Sequence, residues 1–279
     1  MCVKGVVDIA IPHDVLEEAP DEEGKVRKLG YIARAAAIFR VENIVIYTYG
    51  DVDWRAVEAM RLLLEYAATP PYLRRKVFKL DERLKYAGLL PPLKIPSHLA
   101  PKEPRRGDVV EGVVERWDGY YSLVYIGGRK YAKVPKPYPI GSRLLVKIEA
   151  ETDRPDILRA SVVKRPPEGF YAGYRVAVKP LKSLAEGYEA VILTGKEGEP
   201  ICGKRLRLPE KALVVFGGPR AGVDEIMRSE GVKIEGPSVF FLNFAPGQGT
   251  ETIRTEEALF IVLGILNYLR RCKPQINLE

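Results

Sequence analysis

Apolar positions along this chain follow two rhythms, and the change from one to the other divides it. Val6–Ile11 and Asn43–Tyr47 are short, mostly apolar runs, with Asp8 inside the first and Asn43 opening the second, the pattern of strands buried on both faces. Asp21-Glu22-Glu23-Gly24 opens a helical pattern that runs to Ile38. Asp53-Trp54-Arg55 opens a second, in which Val57, Met60, Leu64 and Tyr66 share a face. Strand alternating with helix predicts a parallel sheet. Pro70-Pro71 stops the second helix, and Tyr72–Lys85 reads as a basic helical stretch. Prolines 91, 92, 96, 101 and 104 then predict a linker.

From Gly107 the period becomes two. Val109–Glu115, Tyr120–Ile126, Arg129–Val134, Arg143–Glu149 and Ile157–Lys164 read as five short strands, with a hairpin turn at Gly127-Gly128. Strands this short and evenly spaced predict a small OB-like β-barrel. After Pro166-Pro167 the first rhythm returns. Ala190–Leu193, Ala212–Phe216 and Val239–Leu242 read as strands. Thr255-Glu256-Glu257 caps a last helix from Ala258 to about Arg271, with acids in its first turn and Arg270-Arg271 in its last. The predicted fold is therefore α/β. Residues 1–92 and 166–279 form a mostly parallel sheet domain, and 93–165 form an inserted barrel.

Charge sharpens this picture. Residues 93–165 hold 15 Lys and Arg against 9 Asp and Glu, so +6 of the chain's net +7 falls in the inserted segment. A basic barrel points to RNA as the partner, with Arg105, Arg106, Arg129, Lys130 and Lys133 on it and a second patch at Arg74, Arg75, Lys76, Lys79, Arg83 and Lys85, which also suits a solvated helix face. Trp117, Tyr120, Tyr121, Tyr125 and Tyr131 interleave with those cations. They either stack on bases or form the core of a small barrel. Three scattered cysteines and two histidines leave no pattern for a zinc site or a disulfide framework, and no metal is called for. The start of the chain lacks a signal-peptide run, and the apolar stretch 258–266 is well short of the roughly 20 residues of a membrane span. A soluble, cytoplasmic protein with no membrane partner is expected.

In open α/β sheets ligands sit outside the carboxyl ends of strands. Three such ends carry suitable loops: Thr194-Gly195; Gly217-Gly218-Pro219-Arg220; and Asn243-Phe244-Ala245-Pro246-Gly247-Gln248-Gly249-Thr250. Backbone groups beside the glycines are suited to reading an adenine edge, with Phe216, Leu242 and Phe244 covering its faces. The same glycines also suit plain turns. Neither GxGxxG after the first strand nor GxxxxGK[ST] occurs, which disfavours standard dinucleotide and triphosphate sites.

Several segments resemble one family throughout. They are Gly30–Val41 with Ile44-Val45-Ile46; Tyr72–Lys76; Tyr86–Leu93 (YAGLLPPL) with Pro96-Ser97-His98; and Phe244–Ala258, containing PGQGT. Together they are similar to the archaeal and eukaryotic SPOUT-class RNA methyltransferases of the uridine-N3 type. The pattern departs at Ser97, where family members often carry a second histidine. The resemblance implies S-adenosylmethionine as cofactor, held bent by the three loops. It also implies a trefoil knot near the C-terminus and a homodimer in which the apolar helix 258–269 is buried. It implies methyl transfer to a uridine N3, whose imino proton must leave. Arg220, Glu251 and Arg254 are the candidate catalytic residues, each equally suited to a structural bridge or a phosphate contact. Asp224 is a weaker candidate. Two other functions compete: a non-catalytic RNA-binding or ribosome-assembly factor of the same fold, and an adenine-nucleotide enzyme.

Overall fold

The computed structural model describes residues 6–99, 102–203, 208–235 and 237–271. Cys2, Pro101 and Cys272 lie outside them. In chain order the elements are β1 (Val6–Pro12), α1 (Glu22–Ile38), β2 (Asn43–Thr48), α2 (Trp54–Ala68) and α3 (Arg74–Val77). Next come β3 (Val109–Trp117), β4 (Ser122–Gly127), β5 (Lys130–Val134), β6 (Arg143–Glu151) and β7 (Ile157–Val162). The last are β8 (Arg175–Pro180), β9 (Ala190–Pro200), β10 (Lys211–Val215), α4 (Val223–Ser229), β11 (Ser238–Asn243) and α5 (Thr255–Arg271). The chain separates into two compact units, 1–65 with 86–91 and 174–279, and 66–85 with 92–173.

The first unit is a six-stranded sheet in the order β11-β9-β10-β1-β2-β8, with every pair parallel. The central strands are apolar because both faces are covered: Ile9, Ile11, Ile44, Ile46, Val191, Leu213 and Val215 are all buried. Asp21 caps α1 by accepting the Gly24 N–H at 2.7 Å. α1 buries Val26, Leu29, Ile32 and Ala36, while α5 buries the stripe Leu259, Val262, Leu263 and Leu266. The rest of α5 is only half-buried, so its apolar circumference is not filled within this chain. β2 and β10 flank β1, and the connection that leaves β1 runs to β2 on one side while the one that leaves β10 runs to β11 on the other. That is the switch-point geometry in which a crevice opens at the strands' carboxyl ends.

Three elements differ from the sequence reading. β8 was not foreseen: it is an edge strand, and Arg175, Lys179 and Pro180 dilute its apolar signal as edges require. α4, the helix that holds Asp224, has no bounds in the sequence reading, being short and opened by Gly222, whose N–H the Glu225 carboxylate accepts at 2.9 Å. β9 does not end at Leu193. It runs on to Pro200, where Glu199 and Pro200 pair with Leu242 and Asn243 after a register shift.

In the second unit β3-β4-β5-β7-β6 close into a barrel, with β6 returning to β3 and only β5–β7 parallel. This is an OB-like closed barrel of five strands. Gly112 lets two strands come together: a Cβ there would lie 2.5 Å from a Val124 methyl and 2.7 Å from the Tyr125 carbonyl oxygen. The β4–β5 hairpin turns on Gly128 and Arg129, both at positive φ. The interior is aliphatic, built on Val110, Val114, Val124, Ile126, Val146 and Ile148. None of the five interleaved aromatics belongs to it: Trp117 and Tyr120 are exposed, and Tyr121, Tyr125 and Tyr131 are half-buried.

The expected helix over 72–85 is not formed. α3 ends after one turn because Phe78 goes extended and lies 5.2 Å from the Tyr66 ring, and Asp81 then caps a separate 3₁₀ turn. Nor is the proline-rich stretch a free linker, since Leu93 and Ile95 are buried. Residues 66–85 belong to the barrel unit through a polar seam. The Tyr72 hydroxyl donates to the Glu111 carbonyl at 2.9 Å. The buried Glu111 carboxylate pairs with Arg143, which also donates to the Thr69 hydroxyl at 3.0 Å. Ser97 and His98 serve the same seam. The Ser97 carbonyl accepts from Tyr72, and the His98 ring nitrogen lies 3.1 Å from the Ala68 carbonyl.

Candidate functional site

A cavity of about 450 Å³ opens at the carboxyl ends of the sheet in the first unit. β9 brings Thr194, Gly195, Lys196 and Glu197 to it. The loop after β10 brings Phe216, Gly217, Gly218 and Pro219, and the start of α4 brings Gly222, Asp224 and Glu225. The loop after β11 brings Asn243, Phe244, Ala245, Gln248, Glu251, Thr252, Ile253 and Arg254. Thr255, Ala258, Ile261 and Val262 of α5 close one side, and Glu18 from the β1–α1 connection reaches the rim.

The walls are tied to one another. The Tyr47 hydroxyl donates to the Phe216 carbonyl at 2.7 Å, Thr194 to the Val215 carbonyl at 3.0 Å, and Thr255 to the Gly217 carbonyl at 3.0 Å. The Gly218 N–H bonds the Ala221 carbonyl. The glycine loop is thus a rigid frame whose own backbone groups are largely engaged. Gln248 does the same for the loop after β11, its amide donating to the Thr250 and Glu251 carbonyls. Lys28, buried on α1, pairs with both Glu18 and Glu256, joining the rim to the first turn of α5.

Of the residues predicted to hold the cofactor, the cavity gathers Thr194, Gly195, Phe216, Gly217, Gly218, Pro219, Asn243 and Phe244. Leu242, Pro246, Gly247, Gly249 and Thr250 are not among its lining. Leu242 is buried in the core because alternation along β11 turns it away from Asn243. Pro246, Gly247, Gly249 and Thr250 shape the turn that presents Gln248, with Gly247 at positive φ. Of the catalytic candidates, Glu251 and Arg254 line the cavity, and so does Asp224. Arg220 does not. Its exposed side chain pairs with Glu17 at 2.6 Å. Sequence reasoning missed Glu18, Lys196, Glu197 and Glu225, and named Gln248 only as part of its loop. The strand-end rule applied to β1 as well would have found Glu18.

Five carboxylates line the cavity (Glu18, Glu197, Asp224, Glu225, Glu251) against two lining cations, Lys196 and Arg254; of the five, Glu18 is paired with Lys28 and Asp224 with Arg228, cations outside the lining. Within a chain of net charge +7, the side chains lining this cavity thus carry an excess of carboxylates.

The candidate RNA contacts lie in the second unit. Arg75, Arg105, Arg106 and Arg129 are exposed. Arg74 is engaged, donating to the Thr69 carbonyl and lying 4.4 Å from the Tyr66 ring. Lys76 pairs with Glu115 at 2.7 Å, Lys130 donates to the Pro155 carbonyl, and Lys133 lies 5.1 Å over the Tyr121 ring.

The family described as "Putative RNA methyltransferase" matches residues 6–266. A 28S rRNA (uridine-N(3))-methyltransferase of Homo sapiens is 32% identical over 296 residues, covering 93% of this chain and 77% of that protein. An uncharacterised protein of Halobacterium salinarum is 31% identical over 289 residues, covering 92% of this chain and 97% of its own. The structure of an AdoMet-bound rRNA methyltransferase from Sinorhizobium meliloti aligns with a TM-score of 0.33 and 10% identity, covering 97% of this chain and 57% of that one.

Proposed function

We propose that this chain, which belongs to the RNA methyltransferase family matched over residues 6–266, transfers a methyl group from S-adenosylmethionine to N3 of a uridine in ribosomal or other structured RNA. The observation that carries the cofactor is the sign of the cavity. S-adenosylmethionine supplies an electrophilic methyl on a positively charged sulfur, and five carboxylates against two cations favour such a ligand and repel a polyphosphate. Phe216 and Phe244 offer apolar cover for an adenine, while Thr194, Asn243 and Gln248 offer polar edges. The name of the human relative supports uridine N3.

In this reading the sheet unit holds the cofactor and the barrel unit holds RNA. Glu251 takes the imino proton of the uridine in this proposal and Arg254 stabilises the anion that results, a reading supported only by both lining the cavity. Arg220, which lies outside the cavity lining and pairs with Glu17, has no role in this reading. A trefoil knot near the C-terminus rests on the family resemblance. A homodimer is supported by the apolar side chains that α1 and α5 leave exposed, namely Tyr31, Ile38 and Tyr268.

Calorimetric titration with S-adenosylmethionine, with ATP as control, tests the reading. Saturable binding of the first and none of the second is the expected result. No binding of S-adenosylmethionine to the folded, ligand-free protein would leave an RNA-binding factor without turnover.

A further inference from the structure

The barrel unit carries an aromatic surface that its own packing does not use. Asp118–Tyr121 form a tight loop between Trp117, the last residue of β3, and β4, and in it the Asp118 carboxylate accepts the N–H of Tyr120 at 2.9 Å and of Tyr121 at 2.7 Å. The loop's one acid is thereby committed to its own backbone. Tyr120 is left 81% exposed and Trp117 39% exposed, although the barrel core is complete without them. The β5–β6 connection is pinned beside this loop. The buried Ser122 hydroxyl donates to the Lys136 carbonyl at 2.7 Å and accepts the Tyr138 N–H at 3.0 Å. Arg116 and Lys133 stand in one row across β3, β4 and β5, each paired with Leu123. Lys133 lies over the Tyr121 ring, and Arg116 and Lys136 are exposed. Trp117, in the row with Ser122 and Val134 that faces the barrel interior, and Tyr120 at the turn thus end the barrel beside the outward row of Arg116 and Lys133, while Arg74, Lys76 and Lys130 are held in internal contacts.

We propose that this end of the barrel is a stacking site for unpaired nucleotides of single-stranded RNA, with Trp117 and Tyr120 meeting base faces and Arg116, Lys133 and Lys136 following the phosphates. A duplex does not fit the surface, because its base faces are already covered by one another. The inference rests on the reading that the protein binds RNA, and it goes beyond that reading in naming the loop and the strandedness.

The test is fluorescence anisotropy on the full chain, using a labelled single strand of about 12 nucleotides, within the span such barrels cover, and the same strand annealed to its complement. Titrations run at several salt concentrations. The single strand should bind more tightly than the duplex. Trp117→Ala with Tyr120→Ala should lose roughly 10-fold or more in single-strand affinity at every salt concentration, with the salt slope unchanged, because stacking releases no counterions. Lys133→Ala with Lys136→Ala should instead shallow the slope, by about one to two. Unaltered cofactor affinity and melting temperature show that the variants fold. RNA binding that the aromatic variant retains in full, or a duplex held as tightly as the single strand, overturns the stacking site and leaves the RNA reading standing. A wild-type chain that binds neither RNA overturns the reading beneath it.

Discussion

The Thr255 hydroxyl donates a 3.0 Å hydrogen bond to the carbonyl of Gly217, 38 residues earlier in the chain. It joins the first turn of α5 to the glycine loop, and both line the cavity. A hydrogen bond of this kind contributes about 1 kcal/mol net. Thr255→Val should therefore weaken S-adenosylmethionine roughly fivefold by calorimetry. Thr255→Ser, which keeps the donor, should restore it. Equal affinities for all three would show that the tie does not shape the site.

The glycines of the two loops should answer differently. A Cβ on Gly217 would lie 3.0 Å from the Ala221 carbonyl oxygen and 3.0 Å from the Gly222 Cα, backbone that cannot step aside. Gly217→Val should remove detectable cofactor binding. Nothing lies within 4 Å of a Cβ on Gly249, so Gly249→Ala should stay within roughly twofold of wild type. Loss of binding in the second variant would return Gly249 to the site.

The charge of the cavity is testable through the ligand's own charge. Glu197 and Glu251 are exposed at its edge. Glu197→Gln with Glu251→Gln should weaken S-adenosylmethionine several-fold and the uncharged-sulfur product S-adenosylhomocysteine less, the gap closing as salt is raised. An identical loss for both ligands would remove the electrostatic argument.

Glu111 and Arg143 form a buried pair in the barrel unit, with the Glu111 side chain 7% exposed. Burial pushes the Glu111 carboxyl upward, and the Arg143 charge opposes that. Arg143→Met would leave the acid without its cation and should cost about 3–5 kcal/mol in denaturant unfolding. Adding Glu111→Gln should recover part of the loss. A single variant as stable as wild type would show that the pair is not what holds 66–85 to the barrel.

His98 sets a pH dependence. Burial lowers its imidazole to about 4, and the Arg74 and Arg143 charges add to the effect against the Ala68 carbonyl. The unfolded chain takes up this proton near 6.5. The stability His98 contributes is therefore complete above about 6.5 and declines as pH falls to about 4, below which it declines no further. Melting curves across this window should be steeper for wild type than for His98→Gln. Parallel profiles would place the histidine's titration elsewhere.

Local rhythm made much of this protein legible. β1, β2, α1 and the barrel strands follow from period, caps and turns, because each depends on neighbours within a few residues. The strand-end loops were legible for the same reason, and with them eight of the predicted cofactor residues that line the cavity. Period failed where a contact from far along the chain overruled it. Phe78 meets Tyr66 and breaks the helix expected through it, and β8 has strand character only because β2 supplies its partner.

The sequence by itself therefore determined the elements, the division between sheet and barrel rhythms, and the segments that mark the family. The tertiary structure decided the order of strands in the sheet. It decided that Leu242 turns inward while Asn243 faces the cavity, and that Arg220 joins Glu17 rather than the site. It also gathered Glu18, Glu197, Asp224, Glu225 and Glu251 around one crevice. The physical reason is that charge acts through space, so carboxylates dispersed over more than two hundred positions of a basic chain act on one crevice only when the strands that carry them lie side by side.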